Sequence, residues 1–460
     1  MLVRHRKAKA PATDRLHLHH RATSRLYPVS PDPGVPHFCW VRKKIMNTFT
    51  FWAALIAVSF VPSVASSADT EANAYQKGIA SLEKQDYDAA VAAFTEAIRV
   101  NPKSADAFYK RGSAYARKGD SGKAVADYTE AIRLDPKYVA AYINRGAAYE
   151  RNGAHDKAIP DYTEAIRLNP NDALPYCNRG AAYMMKGDRE IAVADYTKAI
   201  RLNPKDDTAY YNRGLAYADG RQYDKAIGDF SVSIRLNAKF SLAYYRRGIA
   251  YDNKGEYDNA VADLTESIRL DAKFQSAYFR RGVVHQEKGE LAKAIADYNR
   301  AFAINPNNAQ NNAVLCTMRG NALRAQGEYD KAIADYDRAL AIDPKFGLAY
   351  ESLGWLRATC PNEKYRDGIK AVENASKACQ LDDKGWGNFD ALAAAYAESR
   401  DFDKAKQWQE KANEMARSDK SVTEQGRREL RSRLELFKQG RPYRDEPTLG
   451  KKLHERLRRQ

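Results

Sequence analysis

Arginines recur along this chain at Arg111, Arg145, Arg179, Arg213, Arg247 and Arg281, each 34 residues after the last, with Arg319 four residues late. Sixteen residues after each stands an aspartate: Asp127, Asp161, Asp195, Asp229, Asp263, Asp297 and Asp335. Two chemistries suit such a set. A row of guanidinium forks can receive carboxylates or phosphates. Alternatively, each arginine meets the aspartate that follows it. Every arginine has a counter-charge at the same offset, so the pattern predicts a ladder of partly buried Arg–Asp pairs. Exposed pairs contribute only ~0–1 kcal/mol each, so the ladder would set register more than stability. The first period has Lys77 and Ala93 at these places and lacks the acid.

Other reactive side chains are scattered. Five of the eight histidines precede residue 40, and His155, His285 and His454 stand alone. Cys39 lies near the N-terminus, and Cys177, Cys316, Cys360 and Cys379 have no metal-ligand spacing. Cys360 and Cys379 fall at opposite ends of one hairpin, beyond the ~4.4–6.8 Å Cα separation a disulfide needs. They read as small buried hydrophobes. No phosphate loop, metal motif or nucleophile elbow occurs. The chain is expected to be no enzyme and to need no cofactor or metal.

The elements that position the arginines follow from the same period. Gly78, Gly112, Gly146, Gly180, Gly214, Gly248 and Gly282 recur every 34 residues, and Gly320 comes four residues late. An alanine follows each by twelve, from Ala90 to Ala332. With Ala105 as position 1, Phe108, Gly112 and Tyr115 share one helix stripe, and Ala124, Tyr128 and Ala131 share a second. Lys118-Gly119-Asp120 is the turn between them, and Pro136 stops the second helix. A small Gly at position 8 and Ala at position 20 let the helices approach closely. One hairpin cannot bury both stripes, so neighbours must stack.

With an aromatic at position 4, Gly at 8, Tyr at 11, Ala at 20, an aromatic at 24, Ala at 27 and Pro at 32, the pattern resembles the tetratricopeptide repeat (TPR). Repeats two to four match at every position; the third reads Tyr142, Gly146, Tyr149, Ala158, Tyr162, Ala165 and Pro170. Later repeats depart with Ser233, Leu264, Ser267 and His285. The resemblance implies an all-α fold: a right-handed α-solenoid of stacked helix–turn–helix hairpins, about nine to ten repeats. It also implies a non-catalytic scaffold or adaptor for a protein or peptide partner. Positions 2, 5, 9, 12 and 13 would face a concave groove. The expected contact residues are Tyr109, Tyr211, Leu215, Tyr245, Ile249, Phe279 and Val283, with Asp219, Asp252, Asn253 and Glu287 near the rim. Aromatics in a recessed patch are frequent binding anchors. The Lys and Asn of carboxylate-clamping relatives are missing at these positions, which disfavours a receptor for chaperone tails.

The organisation is read as a leader over 1–68, seven regular repeats over 71–306, an insertion loop and repeat 8 over 307–348, and degenerate repeats 9 and 10 over 349–418. A capping helix over 419–440 and a basic tail over 441–460 complete it. Pro160 lies inside a second helix and predicts a kink or a late helix start there.

Ile45 to Ala68 carries no charge, follows Arg42-Lys43-Lys44 and ends in Ser66-Ser67-Ala68. This pattern reads as a secretory signal cleaved after Ala68. The chain is then exported, to the periplasm or the extracellular space. The alternative is an uncleaved anchor, which would make the protein a membrane-anchored structural organiser of the cell envelope. The Arg-, His- and Pro-rich first forty residues make an unusually long leader, so the start is read as misassigned, with Val41 or Met46 as candidate initiators. The net charge of +16 is uneven. Residues 1–45 hold ten Lys and Arg against two Asp and Glu, residues 421–460 twelve against six, and the remainder is nearly neutral. A nucleic-acid footprint needs a clustered patch on the folded domain, so no nucleic-acid partner is expected. Leu449, Leu453 and Leu457, flanked by basic residues, allow weak membrane-surface contact through the tail.

Overall fold

The computed structural model describes residues 67–306, 309–419 and 422–445. Residues 1–66 of the leader and residues 446–460 of the tail therefore lie outside the described residues. Among those described there are twenty-one α-helices, one short 3-10 turn and no strand. No described helix is long and apolar enough to cross a membrane. The chain divides into two units between Ala243 and Tyr244.

The first unit contains five helical hairpins: α1 (Ser67–Glu83) with α2 (Tyr87–Val100), α3 (Ala105–Lys118) with α4 (Ser121–Leu134), α5 (Val139–Arg151) with α6 (His155–Leu168), α7 (Ala173–Lys186) with α8 (Arg189–Leu202), and α9 (Asp207–Asp219) with α10 (Tyr223–Leu236). The division falls in the first turn of α11 (Ser241–Lys254), which is followed by α12 (Tyr257–Leu270). The second unit continues with α13 (Gln275–Glu287) and α14 (Leu291–Ile304), α15 (Ala309–Gln326) and α16 (Tyr329–Ile342), α17 (Gly347–Thr359) and α18 (Gly368–Leu381), and α19 (Trp386–Glu398) and α20 (Phe402–Ser418). A single helix, α21 (Glu424–Lys438), follows with Leu430 and Phe437 buried. The fold is an all-α repeat solenoid.

Local chemistry sets the helix ends. Ser104, Asp120 and Asp206 accept hydrogen bonds from backbone N–H groups of the first turns of α3, α4 and α9. These caps answer donors that a helix leaves without partners. The longer turn between α17 and α18 has no left-handed residue, but the turn inside each of the other nine described hairpins places one at position 15. Gly119 and Gly187 supply it at φ 88° and 87°, whereas the fifth repeat holds Arg221 there at φ 57°.

Packing explains the 34-residue glycine. A Cβ on Gly146 would lie 2.7 Å from the ring of Tyr162, and one on Gly214 2.7 Å from Phe230. The position-24 ring therefore rests directly on the first helix. The alanines at position 20, such as Ala124, Ala158 and Ala192, are fully buried in the same seam.

Two expected irregularities are absorbed differently. Helix α6 contains Pro160 yet begins at His155, in the same register as its counterparts. The late start does not occur. The carbonyl deprived of its donor is that of Asp156, and both Asp156 and Pro160 are exposed, so water can serve it. The polar insertion after Pro306 is not a long loop. From Ala309 onward it is helical, and α15 is 18 residues long where its neighbours have 14. Asn312 is buried and donates from Nδ2 to the Asn305 and Pro306 carbonyls at 3.2 and 2.7 Å. It thus satisfies the end of the preceding helix. The four cysteines among the described residues are free thiols.

Replacing Gly146 by Ala should destabilise its hairpin by about 1–3 kcal/mol, the range for overpacking a filled seam. At Gly248 the facing side chain is Leu264, with Cγ 3.0 Å from an added Cβ. A pivoting leucine yields more easily than a ring, so Gly248→Ala should cost less. Urea denaturation of the two variants checks the order.

Candidate functional site

Each arginine of the 34-residue series is paired, as the spacing predicts. In the first unit Arg111 Nε and Nη2 both reach Asp127 at 2.8 Å. Arg145 reaches Asp161 at 2.9 and 2.6 Å, and Arg179 and Arg213 repeat the fork on Asp195 and Asp229. The remaining nitrogen, Nη1, turns to the preceding hairpin and donates to Thr95, Thr129, Thr163 or Thr197. In the second unit Arg247, Arg281 and Arg319 hold Asp263, Asp297 and Asp335 in the same way. Arg281 also donates to Thr265, and Arg319 to Asn299. One side chain thereby joins three helices from two adjacent hairpins. The aspartates are buried. This is a structural ladder and not a row of vacant forks for an anionic ligand.

The residues expected in the groove divide into two sets. Tyr211, Tyr245 and Phe279, expected as contact residues in a recessed patch, are buried within the repeats. In the first unit Tyr211 packs on Phe240 at 4.8 Å between ring centroids and on Phe230 at 5.8 Å. Tyr109 is half-buried between Tyr128 and Tyr138, and its hydroxyl accepts from Asn144 Nδ2 at 3.0 Å. In the second unit Tyr245 packs on Phe274 at 4.7 Å and Phe279 on Tyr298 at 5.9 Å. The rings are covered largely by a residue that sequence reasoning passed over. Position 34 is aromatic in Tyr138, Phe240, Phe274 and Phe346, and this recurrence is the signal that could have revealed it. The half-buried members, Leu215 in the first unit and Ile249 and Val283 in the second, remain accessible. Of the rim residues, Asp219 is held by Arg189 at 2.6 Å.

The two histidines within the repeats are tied to carboxylates. His155 Nδ1 lies 2.9 Å from Glu150, and burial raises the Glu150 pKa. His285 fills a core tyrosine position and lies 2.7 Å from Glu290. Burial pushes Glu290 upward, but hydrogen bonds from Lys293, His285 and Lys288 override it and bring its pKa down to about 2. At the end of the second unit a buried pair was missed from the sequence. Arg433 of α21 donates to both carboxylate oxygens of Asp390 at 2.9 Å, and Gln409 donates to the same acid at 2.9 Å. Asp390 stands at position 5 of the last hairpin, so the closing helix is locked to a groove-register residue.

Family models described as tetratricopeptide repeat match residues 75–138, 109–173, 242–274, 276–308, 313–346 and 389–419, and one described as TPR repeat matches 186–220. The chain belongs to the tetratricopeptide repeat family. Tetratricopeptide repeat proteins generally mediate protein–protein interactions, and their stacked hairpins offer extended binding surfaces. Among solved structures the chain is similar to MamA, at 30% identity, covering 35% of this chain and 95% of that one with a TM-score of 0.34. It is similar to a tetratricopeptide repeat protein from Parabacteroides merdae, at 25% identity, 54% and 97% coverage and a TM-score of 0.43. It is also similar to yeast Tom70, at 18% identity, 85% and 100% coverage and a TM-score of 0.41. No match is found among curated proteins.

Arg179→Met should destabilise by about 3 kcal/mol, because it leaves the buried Asp195 uncompensated. The double variant Arg179→Met/Asp195→Leu should recover most of that loss. A double variant no more stable than the single one in denaturant titration would mean that the arginine acts through packing alone. Lowering the pH from about 4.5 towards 2 protonates Glu290, whose contribution is present above the ordinary carboxylate pKa and lost as pH falls through the folded value. The wild type should therefore already lose more stability between pH 5.5 and 3 than Glu290→Gln does, measured by denaturant midpoints at those two pH values.

Proposed function

We propose that this protein is a non-catalytic adaptor that works outside the cytoplasm and holds a segment of a partner protein along the first helices of its repeats. The supporting observation is the division of labour within the repeat. The recurring charged residues close on one another, as in Arg145 with Asp161. The half-buried apolar residues at position 9, Leu215 in the first unit and Ile249 and Val283 in the second, stay open to a ligand. Within each unit, an apolar position beside satisfied polar groups suits a peptide whose side chains supply anchors while its backbone stays near water. Export rests on the uncharged stretch from Ile45 to Ala68 behind Arg42-Lys43-Lys44. Cleavage after Ala68 would release a soluble chain. Retention of that stretch would instead leave a membrane-anchored organiser of the envelope.

Capture from envelope extract tests the reading. A Leu215→Glu/Ile249→Glu/Val283→Glu variant that keeps its helical circular dichroism should lose a protein that the wild type retains. Substituting the buried Tyr211, Tyr245 and Phe279 would confuse lost binding with lost packing. Equal capture by variant and wild type would overturn the position-9 residues as the ones that bind. Recovery of the native protein in the membrane pellet, rather than the soluble envelope fraction, would favour the organiser.

A further inference from the structure

After α21 the chain turns at Gly440, in the left-handed region at φ 68°, and residues 441–445 run back without regular structure over the first helices of the last three hairpins. Its contacts are those of a bound peptide. The Asp445 N–H donates to the Thr359 carbonyl at 2.9 Å. The Asp445 carboxylate pairs with Arg324 and accepts from Trp355 Nε1 at 3.1 Å. Arg444 pairs with Glu398 at 2.7 Å and donates to the Ala358 carbonyl at 3.3 Å. Tyr443 packs on Trp355 at 5.8 Å between centroids, and the Arg433 guanidinium, held by Asp390, lies over both rings.

The residues that hold this strap share a register. Trp355 stands at position 9 of its repeat, Arg324 and Ala358 at position 12, and Thr359 and Glu398 at position 13. These are positions that the resemblance to the tetratricopeptide repeat places on the groove side. Ala358 and Thr359 also end α17, where carbonyls lack intrahelical donors and a cation is favoured. Arg444 and the Asp445 N–H supply both. The seat therefore offers an aromatic wall, an anion, a cation and free carbonyls in a fixed order.

We propose that this seat is a peptide-binding site of the second unit, filled in cis by Tyr443-Arg444-Asp445. The partner it fits is an extended segment of another protein with an aromatic, a cationic and an acidic residue in succession. This rests on the adaptor reading above but uses other residues, in the last three hairpins, so the two tests are read separately. A tethered segment faces its seat at an effective concentration on the order of millimolar. The intact chain therefore resists the same segment added in trans, and binding requires the strap to leave.

The test is fluorescence anisotropy with a labelled peptide of residues 440–445, amidated at its C-terminus. Full-length Tyr443→Ala/Asp445→Ala should bind it at least tenfold more tightly than the wild type. Adding Arg324→Glu to that variant should reverse the gain. A peptide with lysine in place of the acid should then bind this Arg324→Glu chain at least tenfold better than the original peptide, which also shows that the seat is still folded. Equal binding by wild-type and strap-disabled chains, no binding by the disabled chain, or binding indifferent to Arg324 and to the peptide charge would each overturn the proposal.

Discussion

The contact on which the structure depends is the closeness of the two helices in each hairpin. A ring at position 24 lies against a glycine at position 8, as Tyr162 does on Gly146, where an added Cβ would come within 2.7 Å. This approach removes any gap between the helices and leaves each hairpin with a second apolar stripe for its neighbour. Protein interiors tolerate few voids, so the stripe must be met by another hairpin. Stacking is thus a consequence of the spacing inside one repeat.

Apolar closeness alone does not fix how adjacent hairpins align. The Arg–Asp–Thr contact adds direction. A guanidinium has a planar fork of donors, and here two arms serve the aspartate of its own hairpin while the third reaches the threonine of the preceding one. The same residue types could have formed an anion-binding row. Their burial against aspartates gives them a positional role and leaves recognition to residues outside the ladder.

At the end of the second unit positions 9, 12 and 13 of the last hairpins are covered by the chain itself. Arg433 forms a buried pair with Asp390, and the strap beyond it meets Arg324, Trp355 and Glu398. An ending that needs both a buried ion pair and an extended segment differs from a simple polar cap. It turns the last ligand-facing surface into one whose occupancy can change.

The helical hairpins, their register and the aspartate partner of each arginine were legible in the sequence alone, because each depends on residues at a fixed short separation that every period repeats. Gly146, Tyr162, Arg145 and Asp161 lie within one hairpin, and their relation follows from helix geometry. Tertiary structure decided what lies between repeats and at the end of the series. Tyr211 and Tyr245 look like binding anchors in a helix register, but Phe240 and Phe274 close over them. Pro160 and the residues from Ala309 onward look like breaks, but an exposed carbonyl and an added helical turn absorb them. Asp445 lies 121 residues from Arg324, a separation that no local period encodes, so their pairing required the folded chain.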